Sequence, residues 1–351
     1  MHKKYFSGFD YLRGIFSILV VVWHAKNIPY ILSLPPFIQN FTKIFYYNIC
    51  LLAVPAFFQA SLFIFYHKQS VDLNYFRKKR LPDLAAIYII WMSIGLVVNC
   101  IFSRGEELYK LGNFENLIMF FVAGSRPELY FLSSLIPITF LAYLNHKFLV
   151  DRPNSFYLQS VLLCLSLGGI VWLDLMMLFT HKHLFSAAWN PICFIPYMFS
   201  SSILILLNRN SHSNLSTYFY KQRFLFTAIL LAIYIWLSSL EWQLLDRPNM
   251  INGGELLPMY ARISLVFGSF ITCYWAIISE GKANNVIREI SQESLSIYVT
   301  HRYILDFLEY MAVPLSIIIN PVIEILLAII IPISIGKFLK RYYLGRVMLN
   351  A

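Results

Sequence analysis

Two residues on the first apolar segment have the types and the spacing to work on a long molecule. Arg13 and His24 lie in the run Asp10–His24, with ten residues between them. On an α-helix that places them ~16 Å apart along the axis. A guanidinium forks onto phosphate or carboxylate oxygens. A neutral imidazole takes a proton near neutral pH. A cation at one end and a base further in can therefore hold two parts of one substrate. Asp10 sits three positions before Arg13 and shares its helical face, where it can orient the guanidinium. Both groups lie in an apolar span, where an ionisable residue is costly and usually marks a site. The competing readings are an interfacial Arg that snorkels to the surface and a His bonded across helices.

A second basic group precedes the third apolar segment, in Tyr75-Phe76-Arg77-Lys78-Lys79-Arg80-Leu81-Pro82. Arg77 and Arg80 are three apart, on one side of a helical turn, and suit phosphate oxygens. The same cluster also serves as a topology signal and attracts anionic lipid. Pro82 is expected near the start of the following helix, where its missing N–H costs little. A third polar group lies near the end of the chain. Ser294, Tyr298, His301, Arg302, Asp306 and Glu309 recur at intervals of three and four, so they share one face of a helix. Lipid rejects such a face, which must look into the bundle or a wet cavity. Arg302 and Asp306 form an i, i+4 pair and neutralise each other. Tyr298 and His301 keep more freedom for chemistry.

The elements that position these residues are membrane helices. The chain has 351 residues, 58% of them hydrophobic and 13% charged, with a mean hydropathy of +0.62. That excludes a water-soluble domain and fits an all-α polytopic bundle. Ten spans can be drawn, roughly 12–32, 44–66, 82–102, 128–147, 157–179, 187–207, 224–244, 259–279, 294–315 and 319–339. Stretch 114–124 is too short to cross and reads as re-entrant or interfacial. The start reads as an uncleaved first span rather than a signal peptide. With the N-terminus inside, 18 Lys and Arg fall in inner loops and 8 in outer ones, Arg126 and Arg262 among the latter. The positive-inside rule then places both termini in the cytoplasm. It also accounts for most of the +10 net charge without a nucleic-acid partner. There is no internal repeat, so residues 1–351 read as a single membrane domain.

Cys50, Cys100, Cys164, Cys193 and Cys273 fall in separate apolar segments without ligand-like spacing. They read as packing residues. His181 and His183 form an H-x-H in an outer loop, with no nearby Cys, Asp or Glu to complete a metal set. No metal is expected.

Taken together, Arg13-x10-His24, Arg77-x-x-Arg80 and Ser294-x3-Tyr298-x2-His301 resemble the acyltransferase 3 family of integral-membrane acyltransferases. The resemblance extends over essentially the whole chain. One stretch departs from the family pattern. Where the family often shows a Trp-aromatic-Leu element preceded by a polar residue such as His, this chain has Glu128-Leu129-Tyr130-Phe131-Leu132.

The resemblance implies transfer of an acyl group, most often acetyl from acetyl-CoA, to a carbohydrate hydroxyl. In that frame His24 is the general base or carries the acyl group transiently, and Arg13, Arg77 and Arg80 hold the CoA phosphates on the cytoplasmic side. His301 and Tyr298 assist the chemistry, His301 by orienting the acceptor or stabilising an oxyanion. Asp10, Glu128 and Ser294 contact substrate or orient the groups that do. The expected place is the cytoplasmic (inner) membrane, and the expected acceptors include O-antigen, capsule and exopolysaccharide. Polysaccharide-assembly proteins are candidate partners. Two other readings stay open on the residues alone. One is an exporter of lipid-linked sugars, for which Pro55, Pro137, Pro191 and Pro196 leave room for kinks. The other is a non-catalytic part of a polysaccharide assembly system.

Overall fold

Inside a bilayer the backbone finds hydrogen-bond partners only in itself, and long apolar runs therefore wind into helices. The computed structural model describes residues 6–25, 35–102, 112–113, 120–121, 124–180, 190–209, 223–245, 260, 262–279, 281–315 and 320–342. Twelve α-helices and no strand occur among them. They are α1 (Gly8–His24), α2 (Pro36–Ile44), α3 (Ala53–Val71), α4 (Leu81–Phe102), α5 (Tyr130–Asn145) and α6 (Ser155–Thr180). Then follow α7 (Ile195–Arg209), α8 (Arg223–Leu245), α9 (Ile263–Ile278), α10 (Asn285–Gln292), α11 (Ser294–Leu315) and α12 (Pro321–Leu339). The chain is an all-α polytopic bundle.

Each of the ten expected spans contains a helix. Six of those segments are long and apolar enough to cross a membrane by length and composition: 45–71, 76–101, 155–176, 191–209, 224–241 and 321–339. The other four fall short for separate reasons. Helices α1, α5 and α9 have 17, 16 and 16 described residues. Helix α11 has 22 but carries Arg302, Asp306 and Glu309. Stretch 114–124 and the His181/His183 pair lie largely or wholly outside the described residues. The five cysteines are free thiols, with Cys50, Cys193 and Cys273 buried and Cys164 exposed on α6. Pro191 opens the 3-10 turn before α7, and Pro196 is the second residue of α7. Pro55 is the third residue of α3, inside the apolar segment 45–71, and Pro137 lies within α5.

The chain divides into two units. One comprises Met1–Leu12, Leu52–Phe76 and Pro137–Ala283; the other comprises Arg13–Leu51, Arg77–Ile136 and Asn284–Ala351. The first is built on α3 and α7, and Phe58 of α3 stacks at 4.1 Å on Phe194 of the 3-10 turn Pro191–Phe194 that leads into α7. Its buried amides pair with each other. Gln159 Nε2 donates to Asn145 Oδ1 at 2.8 Å, and Asn145 Nδ2 donates back to Gln159 Oε1 at 3.1 Å. Ser202 Oγ donates to the same Oε1 at 2.6 Å, so the polar atoms are satisfied without water.

The second unit joins the latter part of α1 to α10, α11 and α12 through a single apolar core. Val21, Ala25, Ile290, Ile297, Leu305, Ala328 and Ile329 form it. Close approach of α11 and α12 depends on Gly336, where a Cβ would come within 2.8 Å of Ser296 Cβ. At the same crossing Ser296 Oγ donates to the Pro332 carbonyl at 2.7 Å. Gly336→Ala therefore has to push the helices apart. A destabilisation of about 1–3 kcal/mol is expected, the usual cost of overpacking. A lowered melting temperature of the purified protein checks it, and an unchanged one would show that the crossing is loose.

Candidate active site

The apolar core of the second unit sets α1 against α11, and this brings together two of the residues singled out by type and spacing. The rings of His24 and His301 have centroids 5.0 Å apart and planes tilted by 46°. His24 is half-buried at the last turn of α1. His301 has no exposed surface.

The tautomer of His301 follows from its surroundings. Its Nδ1 lies 2.9 Å from the Ile297 carbonyl oxygen, which can only accept. Nδ1 therefore carries the proton, and in the neutral ring Nε2 carries the lone pair. That Nε2 is buried and has no hydrogen-bond partner. His301 is thus an acceptor held in place by its own helix. In this form it cannot donate to an oxyanion.

Tyr298, three residues earlier, has its ring 6.3 Å from His301 and 5.2 Å from Phe131. Its hydroxyl donates to the backbone carbonyl of Glu128. The expectation that Tyr298 has freedom for chemistry gives way here, because the hydroxyl ties α11 to the 3-10 turn Pro127–Leu129. That turn is entered through Gly124, at φ +89°, a conformation that favours glycine. Beyond it, Arg126 reaches across the unit. Its Nη2 lies 2.7 Å from Asp306 Oδ2, and its Nη1 lies 3.4 Å from Asn99 Oδ1. The guanidinium also sits 4.5 Å from the centre of the Tyr303 ring. Gly95 on α4 leaves it room, since a Cβ there would stand 3.0 Å from Arg126 Cγ. The second oxygen of Asp306 receives Arg302 Nε at 3.0 Å. The expected i, i+4 pair is present, but Asp306 serves two arginines rather than one.

The polar face of α11 is only partly turned inward. Tyr298 and His301 are buried, Ser294, Arg302 and Asp306 are half-buried, and Glu309 is exposed. Glu309 shares the angle of the stripe but lies near the far end of the helix, where Phe307, Tyr310 and Met311 are exposed as well.

Arg77 and Arg80 part company in the structure. They lie on a π-helical turn, Phe76–Arg80, ahead of α4. A π turn spreads positions three apart more widely around the axis than an α turn does. Arg77 is exposed and Arg80 is buried. Arg13 is half-buried on α1 and belongs to the same unit. Asp10 is half-buried on the same helix, but falls in the part of α1 assigned to the other unit.

Sequence reasoning counted Arg126 only as a loop charge and passed over Asn99. The available signal was the charge rule itself: an Arg on the side where cations are disfavoured needs a local reason.

A family model describing an acyltransferase domain matches residues 6–336, nearly the whole chain. The chain belongs to the acyltransferase 3 family. The match runs through α1, the π turn ahead of α4, the Glu128 turn and α11. A membrane-embedded acyltransferase is the activity that family membership and the apolar helices jointly give. No curated protein matches the chain, and no solved structure does.

The doubly bonded Asp306 makes a ranking testable. Asp306→Ala leaves Arg126 and Arg302 without the anion they share, whereas Arg302→Ala leaves the Arg126–Asp306 bond intact. Asp306→Ala is expected to destabilise by about 1–3 kcal/mol and Arg302→Ala by less. Thermal unfolding of both variants in detergent checks the order.

Proposed function

We propose that the chain is an O-acyltransferase moving an acyl group, acetyl foremost, from acyl-CoA to a hydroxyl of a cell-surface carbohydrate. The observation that carries this reading is the pair of imidazoles, His24 beside His301, with the His301 tautomer fixed and its Nε2 open. A sugar hydroxyl attacks a thioester poorly unless its proton is removed as the new C–O bond forms. His24 takes that proton. The positive charge then developing on His24 is eased by His301, whose acceptor Nε2 receives the other N–H. This is the nucleophile–base–orienter arrangement of covalent and hydrolytic enzymes, with an imidazole as the third member. Acyl-CoA supplies the activated carbonyl and a thiolate leaving group. His24 returns the proton to that thiolate, so the products are an ester and a free thiol, and the charges balance.

The three arginines suit the donor end. Arg77 is open to solvent, Arg80 is buried beside it in sequence, and Arg13 lies ~16 Å along α1 from His24. A phosphate-bearing molecule with an extended arm can be held at one end by such a set while its carbonyl reaches the imidazoles. The cytoplasmic membrane is the expected place, because CoA is a cytoplasmic molecule.

The test is mass spectrometry of surface glycans from cells with the wild-type protein, with no protein, and with His24→Ala at matched membrane levels. Acetyl esters are expected only with the wild type. Identical acylation in all three, with glycan export changed instead, would replace catalysis with transport. A second variant separates the two histidines. His301→Gln is expected to lower kcat by about 10²-fold or more, in the range of acid–base effects. The KM for acyl-CoA should stay unchanged. Loss of both parameters together would make His301 a packing residue.

A further inference from the structure

Glu128 is the side chain for which neither the mechanism nor the packing accounts. It is 4% exposed, and neither carboxylate oxygen has a hydrogen-bond partner. The nearest cation, Arg126, has its Nε 4.0 Å from Oε1, beyond hydrogen-bond range. Arg126 is already committed to Asp306 at 2.7 Å. The backbone around Glu128 is fixed, since its carbonyl receives the Tyr298 hydroxyl. A buried carboxylate held in this way, with both oxygens idle, is unfavourable unless something brings donors to it.

The surrounding charges say which donors. Arg126 and Arg302 are positive; Asp306 and Glu128 are negative. The four cancel. Both cations are engaged by Asp306, and the Arg126 Nε that remains without a hydrogen-bond partner stands 4.0 Å from Glu128 Oε1, so an anion approaching it meets the Glu128 charge. The idle atoms at this place are the two acceptor oxygens of Glu128, the Arg126 Nε–H donor and the Tyr303 hydroxyl, which can do either. A ligand hydroxyl, which donates to Glu128 and accepts from Arg126 Nε–H, complements this set and adds no negative charge to it.

We infer that the Glu128 carboxylate binds hydroxyl groups of the acyl acceptor and selects an uncharged sugar unit over one bearing a carboxylate. This rests on the proposed transferase reading and adds the acceptor class to it. The proton arithmetic is simple: two sugar O–H groups, or one O–H per oxygen, satisfy the carboxylate without proton transfer. A water molecule would satisfy it equally, and that alternative separates in the experiment.

The experiment uses the full chain in lipid nanodiscs without acyl-CoA. The probes are oligosaccharides released from the surface glycan of the producing cells and divided into neutral and carboxyl-bearing fractions. Binding is followed by saturation-transfer NMR and titration for the wild type and Glu128→Gln, with acetyl-CoA titrated separately as a measure of folding. The neutral fraction is expected to bind the wild type and to lose tenfold or more in affinity with Glu128→Gln, at unchanged acetyl-CoA affinity. Equal affinity of both proteins for the neutral fraction, no binding of that fraction, or preference for the acidic fraction would overturn the inference. Acyl transfer by the wild type onto the neutral fraction, measured by thiol release, is scored independently. If transfer occurs while Glu128→Gln leaves acceptor KM unchanged, Glu128 holds water and only the inference fails. If transfer is absent, the transferase reading fails.

Discussion

Hydrocarbon offers no hydrogen bonds, and this constraint orders the polar residues of the chain. Buried side chains find partners across helices: Asn145 with Gln159, Ser202 with Gln159, and Ser269 Oγ with Gln59 Oε1 at 2.6 Å. Charges obey the same rule. Glu241 receives Arg262 Nε at 2.9 Å, and it also accepts the backbone N–H of Ser264 at 2.9 Å, so it caps the start of α9. Asp306 holds two arginines. The exceptions are mostly single atoms, such as Gln59 Nε2 and Asp174 Oδ1, whereas Glu128 leaves both carboxylate oxygens without a hydrogen-bond partner.

The architecture was legible in the sequence wherever apolar length or helical period carried it. The spans from 44, 82, 157, 187, 224 and 319 appear as long apolar helices because nothing interrupts their hydropathy. Helix α11 was legible by its 3–4 spacing, although its charges keep it from scoring as an apolar span. The meeting of His24 and His301 could not be read from local pattern. It depends on contacts between α1, α11 and α12 among residues such as Val21, Ile297 and Ala328, which are far apart in sequence. The family resemblance named the two histidines without saying that they touch.

Two mistaken emphases have physical causes. Arg77 and Arg80 were placed together by assuming α-helical winding; the π turn separates them into an exposed and a buried cation. Arg126 was counted as an outer-loop charge when it is a cross-link between the turn before α5, α4 and α11. It shares this history with Arg262, another cation assigned to the disfavoured side that turns out to be paired with an acid on a neighbouring helix. A basic residue that breaks the topology rule is a better guide to a buried ion pair than one that follows it.

The Ile297 carbonyl that grips His301 shapes how protons travel. A ring whose Nδ1–H is tied to its own helix has one open end. A proton that arrives at Nε2 has no exit on the far side without breaking that tie, so it must leave by the way it entered. His301 is therefore a siding rather than a wire. It can lend stability to a charge on its neighbour, but it cannot conduct that charge deeper into the membrane. At this residue a proton can be parked beside His24 but not passed on.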